Sequence, residues 1–363
     1  MMQILIVKMS SLGDIIHAFP VLQYIKQYYP QAQIDWVVEQ PFAELVRAHP
    51  FVNRVLCVQT KKWRSQLLKG ATWQELAHFR RELRQSSYHI VLDLQGNVKS
   101  GFVTACAKSL VKVGFDYATV PEWPNVLATN RRCNPPKGRN IREDYLFIAQ
   151  SAFGKFAPIT EKGMQLKLTL EEKTLLNPVL EQCQQIKGLK VLVCPGSNWP
   201  NKQLSKETLK NFLQCLSKQL SPHFLLLWGN PAEKVIADEL ATVLPQQSLV
   251  INKLPLPALQ NLMTHVDLVL AMDSLPLHLA GTTSTPTYSV FGASSAKKYK
   301  PLGEQHQAFQ GRCPYGKHFE KRCDQLRTCK TGACIKQLEG QQLFDHFYEW
   351  WKKRRQEMGV GSQ

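Results

Sequence analysis

The feature that most constrains this chain is the alternation of short apolar runs with longer amphipathic ones. Gln3 to Lys8 reads as a strand, followed by the polar loop Ser10-Ser11-Leu12-Gly13-Asp14. Ile15, Ala18, Phe19, Leu22, Ile25 and Tyr29 then recur at helical spacing until Pro30 stops the helix. Further strands are predicted at Ile34 to Val38, Arg54 to Val58 and His89 to Leu94, with a helix through Trp73, Leu76 and Leu83. This rhythm implies an α/β fold: a mostly parallel sheet with helices on both faces.

Between about residues 115 and 160 the rhythm fades. Pro121, Pro124, Pro135, Pro136 and Pro158 leave loops and one helix around Glu143 to Ala152. It restarts with a strand at Gln165 to Leu168, a helix at Leu170 to Cys183 and a strand at Lys190 to Cys194. A helix from Ser205 to Leu220, with a serine cap and Glu207 in its first turn, precedes a strand at Phe224 to Trp228. Helices through Leu240 and at Leu256 to His265, and strands at Asp267 to Ala271 and Thr287 to Phe291, complete the second half. Two α/β halves in 363 residues fit a prior of ~150 residues per domain. The expected divisions are residues 1–160, residues 165–310 and a cysteine-containing basic tail, residues 311–363. In open parallel sheets, ligands bind where strand C-termini meet loops, so two such halves facing each other would make a cleft.

Charge narrows the partners. The chain carries 45 basic against 28 acidic residues, a net of +17, which points to a polyanion: nucleic acid, a phosphate-rich membrane surface or an acidic glycan. A generally basic proteome would give the same excess. No nucleic-acid-binding motif accompanies the charge. The apolar run Ile4 to Val7 is too short for a signal peptide, and no stretch approaches the ~20 apolar residues of a membrane helix. The expectation is a cytoplasmic protein in peripheral contact with an anionic membrane. From Arg312 to Arg355 there are eleven Lys/Arg against five Asp/Glu, and Trp350 and Trp351 precede Lys352 to Arg355. That tail helix, Leu343 to Arg355, suits a membrane interface. The same tryptophans equally suit packing of the helix back onto the first domain.

Four loops hold residues able to do chemistry. Gly13-Asp14 follows the first strand. There a carboxylate is held ionised by a helix N-terminus, as a cap or as a general base. Pro195 to Lys202 has small residues that let backbone N–H groups approach phosphate oxygens, with the Ser197 hydroxyl and the Lys202 charge beside them. An ordinary strand–helix loop would look the same, and neither a GxGxxG nor a Walker pattern is present. Asp273-Ser274 with His278 follows a very apolar strand. Asp273 reads as a helix cap near a diphosphate, and His278 as a core histidine or a ligand contact. Lys61-Lys62-Trp63-Arg64, placed on a loop after the third strand, reads as a clamp for carboxylates or phosphates, or as a solvated charge run.

Four of the ten cysteines cluster late as C-x9-C-x5-C-x4-C: Cys313, Cys323, Cys329 and Cys334, with His318 among them. The intervals are too wide for paired CxxC knuckles. They read first as reduced thiols in a loop-rich segment, with a structural metal as the alternative.

The order of these motifs carries a resemblance. Ile4-Leu5-Ile6-Val7-Lys8 followed by Ser10-Ser11-Leu12-Gly13-Asp14-Ile15-Ile16-His17-Ala18-Phe19-Pro20 resembles the opening of the family 9 glycosyltransferases, the lipopolysaccharide heptosyltransferases. Lys61 to Arg64 resembles the basic acceptor loop of heptosyltransferase I. Pro195-Gly196-Ser197 with Lys202, Trp228-Gly229 with Glu233, and Asp273-Ser274 with His278 look like the family's nucleotide-sugar motifs. The resemblance spans residues 1 to about 295. It departs at Leu275, where the family has Gly in Asp-Thr-Gly, and at Ser197-Asn198, where heptosyltransferase I commonly has a Thr pair.

The resemblance implies a GT-B fold, two Rossmann-like domains facing a central cleft. It also implies an inverting transfer of heptose from ADP-heptose to Kdo-lipid A, with no cofactor and no catalytic metal. Asp14 would be the general base, and Lys202 would stabilise the leaving ADP. Gly13, Ser197, Asn198, Asp273, Ser274, Leu275 and His278 would line the donor pocket, with Glu233 on the ribose and Leu254 near the adenine. Lys61, Lys62 and Arg64 would receive Kdo carboxylates or lipid A phosphates. The alternatives are heptosyltransferase II, a family 9 transferase for another nucleotide sugar, a sugar-nucleotide epimerase of the same fold, or an inactive membrane-associated glycan-binding protein.

Overall fold

The structure, a computed structural model, describes residues 1–160, 163–244 and 247–357. The chain divides into two compact units, Met1–Glu161 and Lys162–Gln363. The first contains β1 (Gln3–Val7), β2 (Gln33–Glu39), β3 (Arg54–Val58), β4 (Ile90–Asp93), β5 (Lys112–Phe115) and β6 (Arg131–Cys133). They form one sheet in the order β3-β2-β1-β4-β5-β6, with every pair parallel. The second contains β7 (Lys190–Cys194), β8 (His223–Leu226), β9 (Ser248–Val250), β10 (Leu268–Met272), β11 (Thr287–Phe291) and β12 (His306–Gln310). Its order is β12-β11-β10-β7-β8-β9, also parallel throughout.

Numbered within each unit, both sheets have the doubly wound order 3-2-1-4-5-6. That order reverses direction between the first and fourth strands, and the crevice beyond their C-terminal ends is where such sheets bind ligands. In the first unit the point lies between β1 and β4, where Val7 pairs with Asp93. In the second it lies between β7 and β10, where Cys194 pairs with Ala271. The strands here are apolar because helices cover both faces of a parallel sheet; every residue of β10 and β11 is buried.

The regular structure extends beyond what the patterning predicts. β5, β6, β9 and β12 are short or polar, and the patterning does not predict them. Conversely, Gln165 to Leu168 is extended but joins no strand. The buried amide of Gln260 takes the place of a neighbouring strand, accepting from Leu166 N at 3.1 Å and donating to Met164 O at 2.6 Å. Lys61 to Arg64 is not a loop but lies in the short helix Thr60–Ser65, with Trp63 turned into the core.

The helix Gly340–Glu357 lies in the second unit. Leu343, Phe347 and Trp351 are buried in the core of the second, among Phe212, Leu216 and Tyr288. Phe347 meets Tyr288 edge-on at 5.2 Å, and the Tyr288 hydroxyl donates to Leu343 O at 3.0 Å. The i, i+4, i+8 spacing of these three apolar residues makes a stripe that only a buried face can use. Trp350 packs against the same cluster, so this pair of tryptophans serves the core rather than a membrane. Among the described residues, no helix is long and apolar enough to cross a membrane.

Candidate active site

In the first unit, β1 runs into Lys8, a cis Ser10–Ser11 peptide and the helix Leu12–His17. Asp14 is the third residue of that helix and closes a capping box. Its Oδ2 accepts from the Ser11 hydroxyl at 2.8 Å and from Ser11 N at 3.3 Å. The side chain keeps 30% exposure, and its Oδ1 lies 3.9 Å from Nδ1 of the buried His17. Capping and chemistry are therefore compatible in one residue: the cap fixes the rotamer, and the exposed part stays reachable.

Two residues that sequence reasoning did not single out organise this end of the sheet. Lys8 is buried, and its ammonium donates to the Tyr145 hydroxyl at 2.9 Å. Burial pushes its pKa below the usual lysine value, while the charges of Asp14 and Asp93 pull the other way. Asp93, the last residue of β4, is fully buried. Its Oδ1 accepts from Gln95 N and Gly96 N at 3.0 and 2.9 Å, and its Oδ2 from Asn125 and Thr104 at 2.7 and 3.1 Å. The signal for Asp93 was a carboxylate ending a buried apolar run.

The basic helix is divided in its engagements. Lys62 bridges to Glu75 at 2.6 Å, and Trp63 Nε1 donates to the same carboxylate at 2.8 Å. These hydrogen bonds, Lys62's first, lower the Glu75 pKa. Lys61 and Arg64 are exposed.

The second unit gathers its candidates more tightly. The loop after β7 ends in the turn Pro200–Lys202, which carries Lys202 into the protein. Lys202 Nζ reaches Asp273 Oδ2 at 2.5 Å, with both side chains below 10% exposure. Ser294, just after β11, donates to the same oxygen, and His278 Nε2 lies 3.3 Å from Oδ1. Burial alone would raise the Asp273 pKa, but His278 and Lys202 outweigh it and hold the carboxyl far below its usual range. Ser197 lies at the rim, its hydroxyl 3.5 Å from Asp273 O, and Asn198 is exposed. Ser274 is the N-cap of the helix Leu275–Ala280, but its hydroxyl turns back to Met272 O. Ser294 gave no sequence signal, since small residues after a strand are ordinary.

Beside this cluster, Glu233 sits in the first turn of the helix Pro231–Val243 and accepts from Gly229 N at 2.7 Å. Gly196 explains how the carboxylate fits: a Cβ there would lie 2.2 Å from it. The glycine is the contact between the β7 and β8 loops. Burial, reinforced by the Glu233 charge, pushes the nearby Cys194 thiol up. Leu254 is buried ahead of the helix Leu256–Met263.

The four late cysteines are all free. Cys329 Sγ accepts from Gly332 N at 3.4 Å, and that contact lowers its pKa. Burial first, then Cys313, Cys329 and Cys323, push the Cys334 thiol up to about 11.

A doubly wound parallel sheet in each unit, with charged side chains at each switch point, defines a two-unit α/β protein of the Rossmann-like class. The glycosyltransferase family 9 (heptosyltransferase) model matches residues 76–328. This chain belongs to glycosyltransferase family 9. It is 29% identical over 296 residues to lipopolysaccharide heptosyltransferase 1 of Pseudomonas aeruginosa, covering 81% of this chain and 79% of that protein. It is 28% identical to the protein of the same name from Escherichia coli, covering 80% and 88%. The structure of E. coli heptosyltransferase WaaC with ADP superposes with a TM-score of 0.76 at 24% identity, over 96% of this chain and all of the other. The fold is GT-B.

Proposed function

We propose that this protein transfers a heptose from ADP-heptose to the Kdo region of the lipopolysaccharide inner core, with Kdo-lipid A as acceptor. One observation carries the reading beyond family membership: Lys202, Asp273 and His278 converge at the switch point between β7 and β10. A buried ammonium held by a buried carboxylate gives a fixed positive charge where a nucleotide diphosphate would lie.

The first unit supplies the acceptor chemistry. Asp14 removes the proton from the attacking hydroxyl. That oxygen bonds to the anomeric carbon as the bond to the ADP β-phosphate breaks, inverting the centre. In the second unit Lys202 balances the charge growing on ADP. Asp273 and Ser294 orient the lysine, and His278 lines the diphosphate pocket with Gly196, Ser197, Asn198, Ser274 and Leu275. Glu233 takes the ribose, and Leu254 packs near the adenine. Lys61 and Arg64, with Lys62 released from Glu75, bind the Kdo carboxylates or lipid A phosphates.

Contact with an anionic membrane face is part of the proposal, and its support moves from the tail to the first unit. Leu68 is fully exposed, Leu67 and Trp73 are about half exposed, and the exposed Lys61, Arg64 and Lys69 lie near them in sequence. Apolar tips with a cationic collar suit the headgroup region on the cytoplasmic side.

The test is incubation with ADP-heptose and Kdo-lipid A, following ADP release and acceptor mass. ADP release with a heptose-sized mass gain is expected. ADP-heptose binding without transfer would overturn the acceptor; neither binding nor transfer would overturn the donor.

A further inference from the structure

The intervals of the four late cysteines fit no knuckle pattern, and sequence alone leaves both free thiols and a structural metal open. Their placement says more. Cys313, Cys323, Cys329 and Cys334 all line one small cavity of about 20 Å³, closed by Ala293, Leu326 and the Gly332 turn. Cys313, Cys323 and Cys334 also belong to a single local apolar cluster with Ala293, Leu326 and Trp199.

We infer that these four cysteines form a structural zinc site, which fastens the segment after β12 to the donor loop.

Three observations support it. First, the segment needs a fastening. Between Gln310 and Ala333 there is neither helix nor strand, only one isolated bridge from Ser294 to Arg322. Long structureless loops are uncommon in compact domains, and three buried apolar residues make a small core. Second, the ligands suit the ion. No disulfide joins the four thiols, all four line the same cavity, and Gly332 N donates to Cys329 Sγ at 3.4 Å. Gly332 holds a left-handed φ of 58° that makes this turn, and a Cβ there would meet Asn201 Oδ1 at 2.6 Å. Third, the charge fits. Zinc with four thiolates carries −2, the four thiol protons passing to solvent. From Arg312 to Lys330 there are six Lys/Arg against two Asp/Glu.

The sulfurs border the cavity without three of them closing on one point. Closure would come with the ion, since thiolate sites assemble on binding, with Zn–S near 2.3 Å. The site also has a structural neighbour of consequence. Asn201 donates to Leu326 O at 2.9 Å and to Cys329 O at 2.8 Å, and Arg327 lies 4.7 Å over the Trp199 ring. Asn201 directly precedes Lys202, so the metal would buttress the loop carrying the buried lysine.

The experiment uses the untagged full chain, purified under reducing conditions from zinc-supplemented medium. Elemental analysis should give about one zinc per chain, released by a mercurial titrant. Cobalt substitution should give the d–d bands of tetrahedral thiolate coordination. Cys323→Ser with Cys329→Ser should lose the metal, whereas Cys215→Ser, on the helix Lys206–Leu220, should keep it. If the double variant does not fold, thiol counting on the native wild type decides: four thiols should become reactive only after chelation. Wild type with below a tenth of an equivalent of zinc, cobalt spectra without thiolate bands, or a thiol count that chelation leaves unchanged would overturn the proposal. None of these readouts depends on glycosyl transfer.

Discussion

Replacing Asp273 with Asn isolates what the buried pair does. The substitution keeps the shape and removes the charge that faces Lys202 at 2.5 Å. Lys202 is 7% exposed, so its ammonium would be left buried without a counter-ion. Breaking a buried pair from one side costs about 3–5 kcal/mol. For a unit of this size, each kcal/mol moves Tm by about 2–4 °C, so a fall of about 6–20 °C is expected. Lys202→Met should cost a similar amount by stranding the carboxylate. The double variant carries neither charge, so it should recover most of the loss, with a coupling of about 2 kcal/mol or more. It should still not transfer, because the positive charge is gone. Differential scanning fluorimetry and urea unfolding measure the first part, ADP release the second. Additive single effects, or singles that unfold like wild type, would refute the reasoning. The pH dependence has a fixed sign. The Asp273 pKa is lowered in the folded protein, so its contribution is complete above the ordinary carboxyl value of about 3.9. It is lost only as pH falls below that value towards the depressed one.

Three further outcomes test other parts of the site. Asp14→Asn should cut transfer by about 10²–10⁴ while leaving ADP affinity unchanged, as shown by ADP-release kinetics beside calorimetry. Gly196→Ala would put a methyl 2.2 Å from the Glu233 carboxylate, so that carboxylate must leave Gly229 N. About tenfold weaker ADP binding is expected in calorimetry, and unchanged affinity would remove Glu233 from the donor pocket. Leu68→Glu should reduce sedimentation with anionic vesicles without shifting Tm, since the side chain is fully exposed.

The parallel α/β class and four strands of each sheet were legible because strands such as β1 and β10 are short, almost wholly apolar and separated by helical periods. β6 and β9 were not, since Arg131-Arg132-Cys133 and a three-residue run carry no alternation to read. The tail helix was legible as a helix, and its packing partners were not. Its apolar stripe specifies a buried face and cannot say which core receives it. Polar stand-ins are equally hidden: Gln260 substitutes for a strand by side-chain hydrogen bonds, and no local pattern announces that.

Site residues were legible as types and not as partners. A lysine after β7 and an aspartate after β10 are each ordinary in a strand–helix loop. What brings them together is a strand order that places the fourth strand beside the first. The same order operates in the first unit, where β4 also ends in a carboxylate. The two acids nevertheless do different work. Asp93 uses both oxygens on Gln95 N, Gly96 N, Asn125 and Thr104, which fixes the loop after β4. Asp273 lies just beyond the end of β10, two residues past the Ala271 that pairs with the last residue of β7, and faces Lys202, His278 and Ser294. By register Asp273 lies two residues further along its strand than Asp93, and there it meets charged side chains where Asp93 meets backbone N–H groups. Asp93→Asn should therefore lower stability while leaving ADP affinity intact, whereas Asp273→Asn should lower both.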